Sequence, residues 1–211
     1  MKITISPQVF SCYPELHLAF LYLKKIDNKR KLSESRHLFH DLRELTHLTF
    51  QKHNLLSPQA VARQDYGKEA RHYHTSVEKL LQEILKRKRI AASDTLTNLL
   101  HVTMLQYLLP VGADDAQKIT GDIAFALQDN QIYYHDQERV LGTKLDFWKN
   151  AQTALTPAST SALIHLEFLP PHGKEELQEI LQKTKELLLN FCGGTATTLI
   201  LHRRKSQARL P

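Results

Sequence analysis

The stretch Asp94-Thr95-Leu96-Thr97-Asn98-Leu99-Leu100-His101-Val102-Thr103-Met104-Leu105-Gln106-Tyr107-Leu108-Leu109-Pro110-Val111-Gly112 decides the fold class. Asp94 has the place of a helix N-cap, and a helix over residues 95–108 follows from it. Its apolar side chains are distributed nearly all round, the pattern of a helix buried in the middle of its domain. After Pro110 and Gly112 the pattern changes to β. Candidate strands cover residues 121–127, 131–135, 139–141 and 163–168. A buried helix followed by short strands, without a steady βαβ rhythm, predicts an α+β fold.

On the N-terminal side, Ile3 and Ile5 alternate with polar residues up to Pro7, as in a strand. Residues 16–23 are apolar on both faces and predict a central strand. A helix over residues 33–52 follows, with Leu38, Leu42, Leu45 and Leu48 as its inner stripe. His37, His40, Glu44 and His47 then form a solvated polar face rather than a metal site, because nothing nearby supplies supporting partners. Ser57-Pro58 starts a short helix that ends near Tyr66-Gly67. Thr75 with Glu78 has the spacing of a capping box, opening a helix that ends in Lys86-Arg87-Lys88-Arg89.

On the C-terminal side, a long polar connection over residues 142–161 carries the only tryptophan, Trp148. Connections of that length are more often functional than idle. A helix over residues 174–191 places Leu177, Ile180, Leu181, Leu188 and Phe191 on one face, and Gly193-Gly194 stops it. A strand at 197–201 precedes a basic tail that begins Arg203-Arg204-Lys205.

With 211 residues, 42% hydrophobic and 24% charged, the chain belongs to the globular class. No apolar run approaches the ~20 residues that span a bilayer. The first residues lack a secretory signal's pattern, so a cytoplasmic location is expected. Cys12 and Cys192 stand far apart without a Cys-x-x-Cys pair, which predicts two reduced thiols. Lys plus Arg number 28 against 22 Asp plus Glu, a formal +6 that suits phosphate, nucleic acid or an acidic surface. Phosphate loops, dinucleotide fingerprints, zinc-protease helices and nucleophile elbows are all missing. No metal or cofactor is therefore expected. Asn98 and His101, on a helix buried all round, either make structural hydrogen bonds or sit at a cavity.

The order of segments from Arg71 to Leu166 carries a resemblance. Its parts are Tyr73-His74-Thr75-Ser76-Val77-Glu78-Lys79-Leu80-Leu81 and Asp94-Thr95-Leu96-Thr97-Asn98-Leu99-Leu100. Leu109-Pro110-Val111-Gly112-Ala113-Asp114-Asp115 and Lys118-Ile119-Thr120-Gly121-Asp122-Ile123 follow. Val140-Leu141 and Thr153-Ala154-Leu155-Thr156-Pro157 complete the series, with Phe10-Ser11-Cys12-Tyr13-Pro14 near the start of the chain. This order resembles the editing and tRNA-binding module of the phenylalanyl-tRNA synthetase beta subunit, its third and fourth B domains. The likeness is closest to free-standing versions of that module.

The resemblance implies a three-layer α+β domain with a β-sandwich of unusual topology, over residues 1–202, and a basic tail over 203–211. It implies a tRNA partner, with no membrane and no DNA, and hydrolysis of the ester of misacylated aminoacyl-tRNA. The family's Thr-Asn pair matches Thr97 and Asn98, which would position water or the aminoacyl group. In the family's Pro-x-His-Ala-x-Asp run, Pro110, Ala113 and Asp115 match, and Gly112 stands where the histidine belongs. Backbone N–H groups of Gly112 and Ala113 would then meet the oxyanion. Asp115, Trp148, Lys149 and Asn150 would contact substrate, the last three in place of the family's glycine-rich loop. Lys86, Arg87, Lys88, Arg89, Arg203, Arg204 and Lys205 would track tRNA phosphates. Two alternatives stand beside this one: a non-catalytic tRNA- or RNA-binding module, and an amino-acid-binding protein that reuses the pocket.

Overall fold

A computed structural model describes residues 1–53, 75–88, 90, 92–128, 131–143, 148–168 and 174–211. The expected helix after Ser57-Pro58, the Tyr73-His74 pair, Arg89 and Asp146-Phe147 lie outside the described residues.

The described elements run β1 (Lys2–Ile5), α1 (Pro7–Cys12), β2 (His17–Lys24), α2 (Leu32–His53), α3 (Ser76–Leu85), α4 (Thr95–Tyr107) and β3 (Val111–Asp115). Then come β4 (Ile123–Gln128), β5 (Gln131–His135), β6 (Val140–Thr143), β7 (Trp148–Lys149), β8 (Ser161–Phe168), α5 (Lys174–Cys192), β9 (Thr195–Leu201) and β10 (Gln207–Arg209). They form a mixed α+β domain with two sheets. The first sheet has the order β10-β1-β4-β5-β6-β7, and the second β3-β8-β2-β9.

The second sheet is the middle layer. Ala19, Leu21, Leu23, Ile164 and Leu166 point from it to the helices, joining Leu96, Leu99, Leu177 and Ile180 in one core. Leu18, Phe20, Leu163 and Leu201 point the other way, joining Ile3, Ile5, Phe125 and Tyr134 of the first sheet in a second core. A strand buried on both faces must read as a continuous apolar run, which is why residues 16–23 do so. β2 is flanked by β8 and β9, as expected of a central strand.

Local signals are obeyed at three helix ends. Thr75 Oγ1 accepts from the Glu78 N–H, and the Glu78 carboxylate accepts from the Thr75 N–H, closing the capping box. Asp94 caps α4 by accepting from the Thr97 N–H at 2.9 Å. Gly193 and Gly194 end α5 at φ +68° and +83°, and a Cβ on Gly194 would strike the Lys24 carbonyl.

Three expectations are corrected, and one short helix is added to them. The inner stripe of α2 is not the leucine row: Leu38, Leu45 and Leu48 are exposed, whereas Ser35, Phe39, Thr46 and His47 are buried. Ser35 and Thr46 return their hydroxyls to the Leu32 and Leu42 carbonyls, which lets them face inward. β3 begins ten residues earlier than the first expected strand of that region. Its Gly112, Asp114 and Asp115 are poor strand formers, and pairing with β8 overrides them. The expected basic tail is built into the sheets: β10 pairs with β1, and Leu210 is buried. α1, a single short helix that begins at Pro7, closes the second core with Val9 and Phe10.

Candidate functional site

A cleft of about 600 Å³ opens between α3, α4, the edge of the second sheet at β3, and the β7 strap. On α4 its wall is Thr97, Leu100, His101 and Met104. Those positions are spaced i, i+3, i+4 and i+7, so they form one stripe. The N-terminus of this helix is pinned from below. The buried Asn28 donates to Asp94 Oδ1 at 3.1 Å and to the Thr156 carbonyl at 2.9 Å, and accepts from the Leu96 N–H at 2.8 Å. Thr97 Oγ1 donates to Asp94 Oδ2 at 2.9 Å, leaving its lone pairs for a further donor.

Asn98 does not line the cleft. It is one position, about 100°, round the helix from Thr97. It is buried, and its amide donates to Ser35 Oγ and to the Asp94 carbonyl, both at 3.1 Å. The expected Thr-Asn pair is therefore divided, Thr97 toward the cleft and Asn98 toward α2. Asp115 is turned away as well. Its carboxylate accepts from the Gln117 N–H and from Ser159 Oγ, at 3.1 and 2.7 Å.

The two expected oxyanion donors also divide. Glu167 donates its N–H to the Pro110 carbonyl at 3.0 Å, which sets the alternation of the antiparallel β3–β8 ladder. Gly112, opposite His165, falls at a bonded pair, and its N–H is used inside the sheet. Ala113, opposite Ile164, falls at a non-bonded pair, and its N–H points out of the open edge of β3. Ala113 lines the cleft.

The strap supplies Trp148, Lys149 and Asn150, which all line the cleft. Trp148 is half exposed. Asn150 caps a single 3-10 turn and donates to the Val140 carbonyl. Lys149 Nζ reaches inward to Asp114 Oδ2 at 2.9 Å and lies 5.0 Å from the centre of the Tyr134 ring. Asp114 is fully buried and also accepts from Thr153 Oγ1 at 2.6 Å. The strap is thus tied to the middle layer by an ion pair.

His101 is the group that the sequence singled out without assigning. Its ring lines the cleft and packs 5.0 Å from the Phe39 ring. Its Nδ1 is buried and has no hydrogen-bond partner. Burial holds its pKa down to about 4, with the Asp94 charge opposing that shift. The imidazole is therefore neutral at physiological pH. The signal in the sequence was its i+4 spacing from Thr97 on a buried helix. By contrast, the Cys192 thiol is pushed up to about 12, by burial first and then by the Asp94 and Asp27 charges. It stays protonated and inert.

The expected cations fall in two places. Lys86, Arg87 and Lys88 are exposed and follow directly on α3, the helix that walls the cleft. Arg203, Arg204 and Lys205 form a tight turn where the chain leaves the second sheet for the first, closed by reciprocal His202–Lys205 backbone bonds of 3.0 and 2.8 Å. They line a second, open cleft of about 830 Å³ beside His17 and His202, whose rings are 5.6 Å apart.

No group of three metal-ligating side chains is present among the described residues. No described helix is long and apolar enough to cross a membrane. No family model matches the chain, and no curated protein matches it.

Proposed function

We propose that the protein binds tRNA through its two exposed cation clusters and hydrolyses the ester of a misacylated aminoacyl-tRNA in the α3–α4–β3 cleft. The observation that carries this reading is the meeting of Thr97, the outward Ala113 N–H, Trp148, Lys149 and Asn150 in one cleft. An aminoacyl ester is already activated, so a held water and an oxyanion donor suffice without a protein nucleophile. Leu80, Leu100, Met104, Val111 and Leu155 give the cleft an apolar body fit for the side chain of an apolar amino acid. A second sieve of this kind destroys an error that an apolar synthetic pocket rejects too weakly. Cations 86–88 adjoin the cleft, where the backbone of a charged acceptor end would lie.

A reading without catalysis is favoured by one observation. The Asn98 amide and the Gly112 N–H, two of the four expected catalytic groups, are engaged in the fold. A small-molecule reading, an amino acid in the same apolar cleft, rests on the cleft alone. One experiment separates the three. Total tRNA is charged separately with each amino acid and incubated with the protein. Selective loss of one ester supports editing. Salt-dependent tRNA binding with every ester intact leaves the binding module. A thermal shift with a free amino acid and no response to tRNA leaves the small-molecule binder.

A further inference from the structure

We propose that His101 is the proton-transfer group of the cleft, accepting the proton of the attacking water and returning it to the leaving ribose oxygen. The inference rests on the editing reading above and names the residue that performs its chemistry.

Three observations converge on this ring. It lies on the cleft stripe of α4, one turn beyond Thr97. Its Nδ1 is buried and has no hydrogen-bond partner, an unsatisfied group that calls for an explanation. The outward N–H of Ala113 belongs to the same cleft, at the sheet edge. A carbonyl placed between them has a donor for its oxygen on one side and a base for its water on the other. That is the arrangement acyl hydrolysis needs.

The step balances without a cofactor. The water oxygen bonds to the ester carbonyl carbon as its proton passes to the imidazole. The carbonyl oxygen becomes an oxyanion held by the Ala113 N–H. The carbon–ribose-oxygen bond then breaks, and the imidazolium returns the proton to that oxygen. The products are a free amino acid and a 3′-terminal hydroxyl. A pKa of about 4 makes the ring a weak base but its conjugate a strong acid, so the return to the alkoxide is the favoured half of the transfer. The charged groups that face it are Asp94 on its own helix, Lys79 and Glu83 on α3 and Lys149 on the strap, with Phe39 of α2 against the ring.

The test compares wild type with H101Q and H101A on the ester that wild type removes in the charged-tRNA screen. Glutamine keeps a hydrogen-bonding tip but takes up no proton near neutrality. H101Q is therefore expected to keep KM, tRNA affinity and thermal unfolding, and to lose roughly 10²–10⁴-fold in kcat. The wild-type kcat is expected to stay level down to about pH 5 and to fall toward about pH 4. A folded H101Q with unchanged kcat overturns the assignment and leaves the editing reading standing. A wild type that removes no ester overturns the editing reading and this step with it. Should both variants unfold, the wild-type imidazole ¹⁵N spectrum decides. A non-hydrolysable 3′-aminoacylamido-adenosine is expected to shift the His101 nitrogens, and no shift at saturation overturns the proposal.

Discussion

The two faces of the second sheet each bury a histidine, and the two sites differ in how they are closed. On the first-sheet side, His165 sits among Phe20, Phe125 and Tyr134, with Nε2 3.3 Å from Glu167 Oε1. Neither side chain is more than 2% exposed. Burial drives the His165 pKa well below the ordinary value, helped by the Lys149 charge. On the helix side, His101 is equally neutral, yet it borders an open cleft and its Nδ1 has no partner. A perturbed titration alone does not separate a core histidine from a working one. Closure does.

The comparison breaks first at His165. His165→Ala is expected to destabilise the fold by about 4 kcal/mol, read by chemical denaturation. It removes a packed ring and leaves the Glu167 carboxylate buried without its imidazole. The histidine-to-glutamine change at position 101 is expected to leave unfolding almost unmoved. If His165→Ala is as mild, the inter-sheet site is not the closed one.

The next effect is that of pH. Both histidines have folded pKa values below the unfolded value near 6.5. The unfolded chain then binds more protons, so stability rises with pH in this window. For His101 that stabilisation is whole above about pH 6.5 and is lost as pH falls toward about 4, about 3 kcal/mol in all. His165 acts in the same direction. Denaturation midpoints measured between neutrality and pH 4 check this. A flat profile removes the claim that either ring is held neutral.

Lys149 joins the two regions, since it lines the cleft and pairs with Asp114 in the middle layer. Lys149→Met is expected to cost about 2 kcal/mol, below the usual figure for a broken buried pair, because its side chain stays 26% exposed. The same substitution is expected to loosen the strap and raise KM in the deacylation assay. A change in stability without a change in KM would place the strap outside substrate contact.

The smallest effect on folding and the plainest on binding comes from the surface cations. Replacing Arg203, Arg204 and Lys205 together by alanine is expected to change stability by less than about 0.5 kcal/mol. It is also expected to flatten the slope of log tRNA affinity against log salt by roughly 0.7 per lost phosphate contact. An unchanged slope removes this turn from the tRNA surface and leaves residues 86–88 as the sole cluster to test.

Elements whose signals are local were legible before any fold was seen. The capping box at Thr75 and Glu78, the Asp94 cap, the glycine stop of α5 and the doubly buried β2 each follow from a few adjacent residues and the backbone groups they must satisfy. Thr97, Trp148, Lys149, Asn150 and Ala113 were named from sequence and meet in the cleft. The partition of Asn98 from Thr97 was not legible, because resemblance assigns residues in pairs while a helix sends neighbours in different directions. Likewise, which of Gly112 and Ala113 presents a free N–H depends on the ladder with β8, some fifty residues away.

By itself the sequence determined the class of the molecule, the helices it caps and the central strand, because these depend on periodicity and nearest-neighbour hydrogen bonding. Tertiary structure decided the face that α2 buries and the strand identity of residues 111–115. It also decided the incorporation of the C-terminus into a sheet and the exposure of His101 to a cleft. Each of these turns on a partner distant in the chain. Ser35 can face inward because Asn98 comes to meet it, and Asp114 can lie in a strand because Lys149 reaches it. Such pairings cannot be read from either partner alone, since the free energy that holds each side chain in place resides in the contact between them.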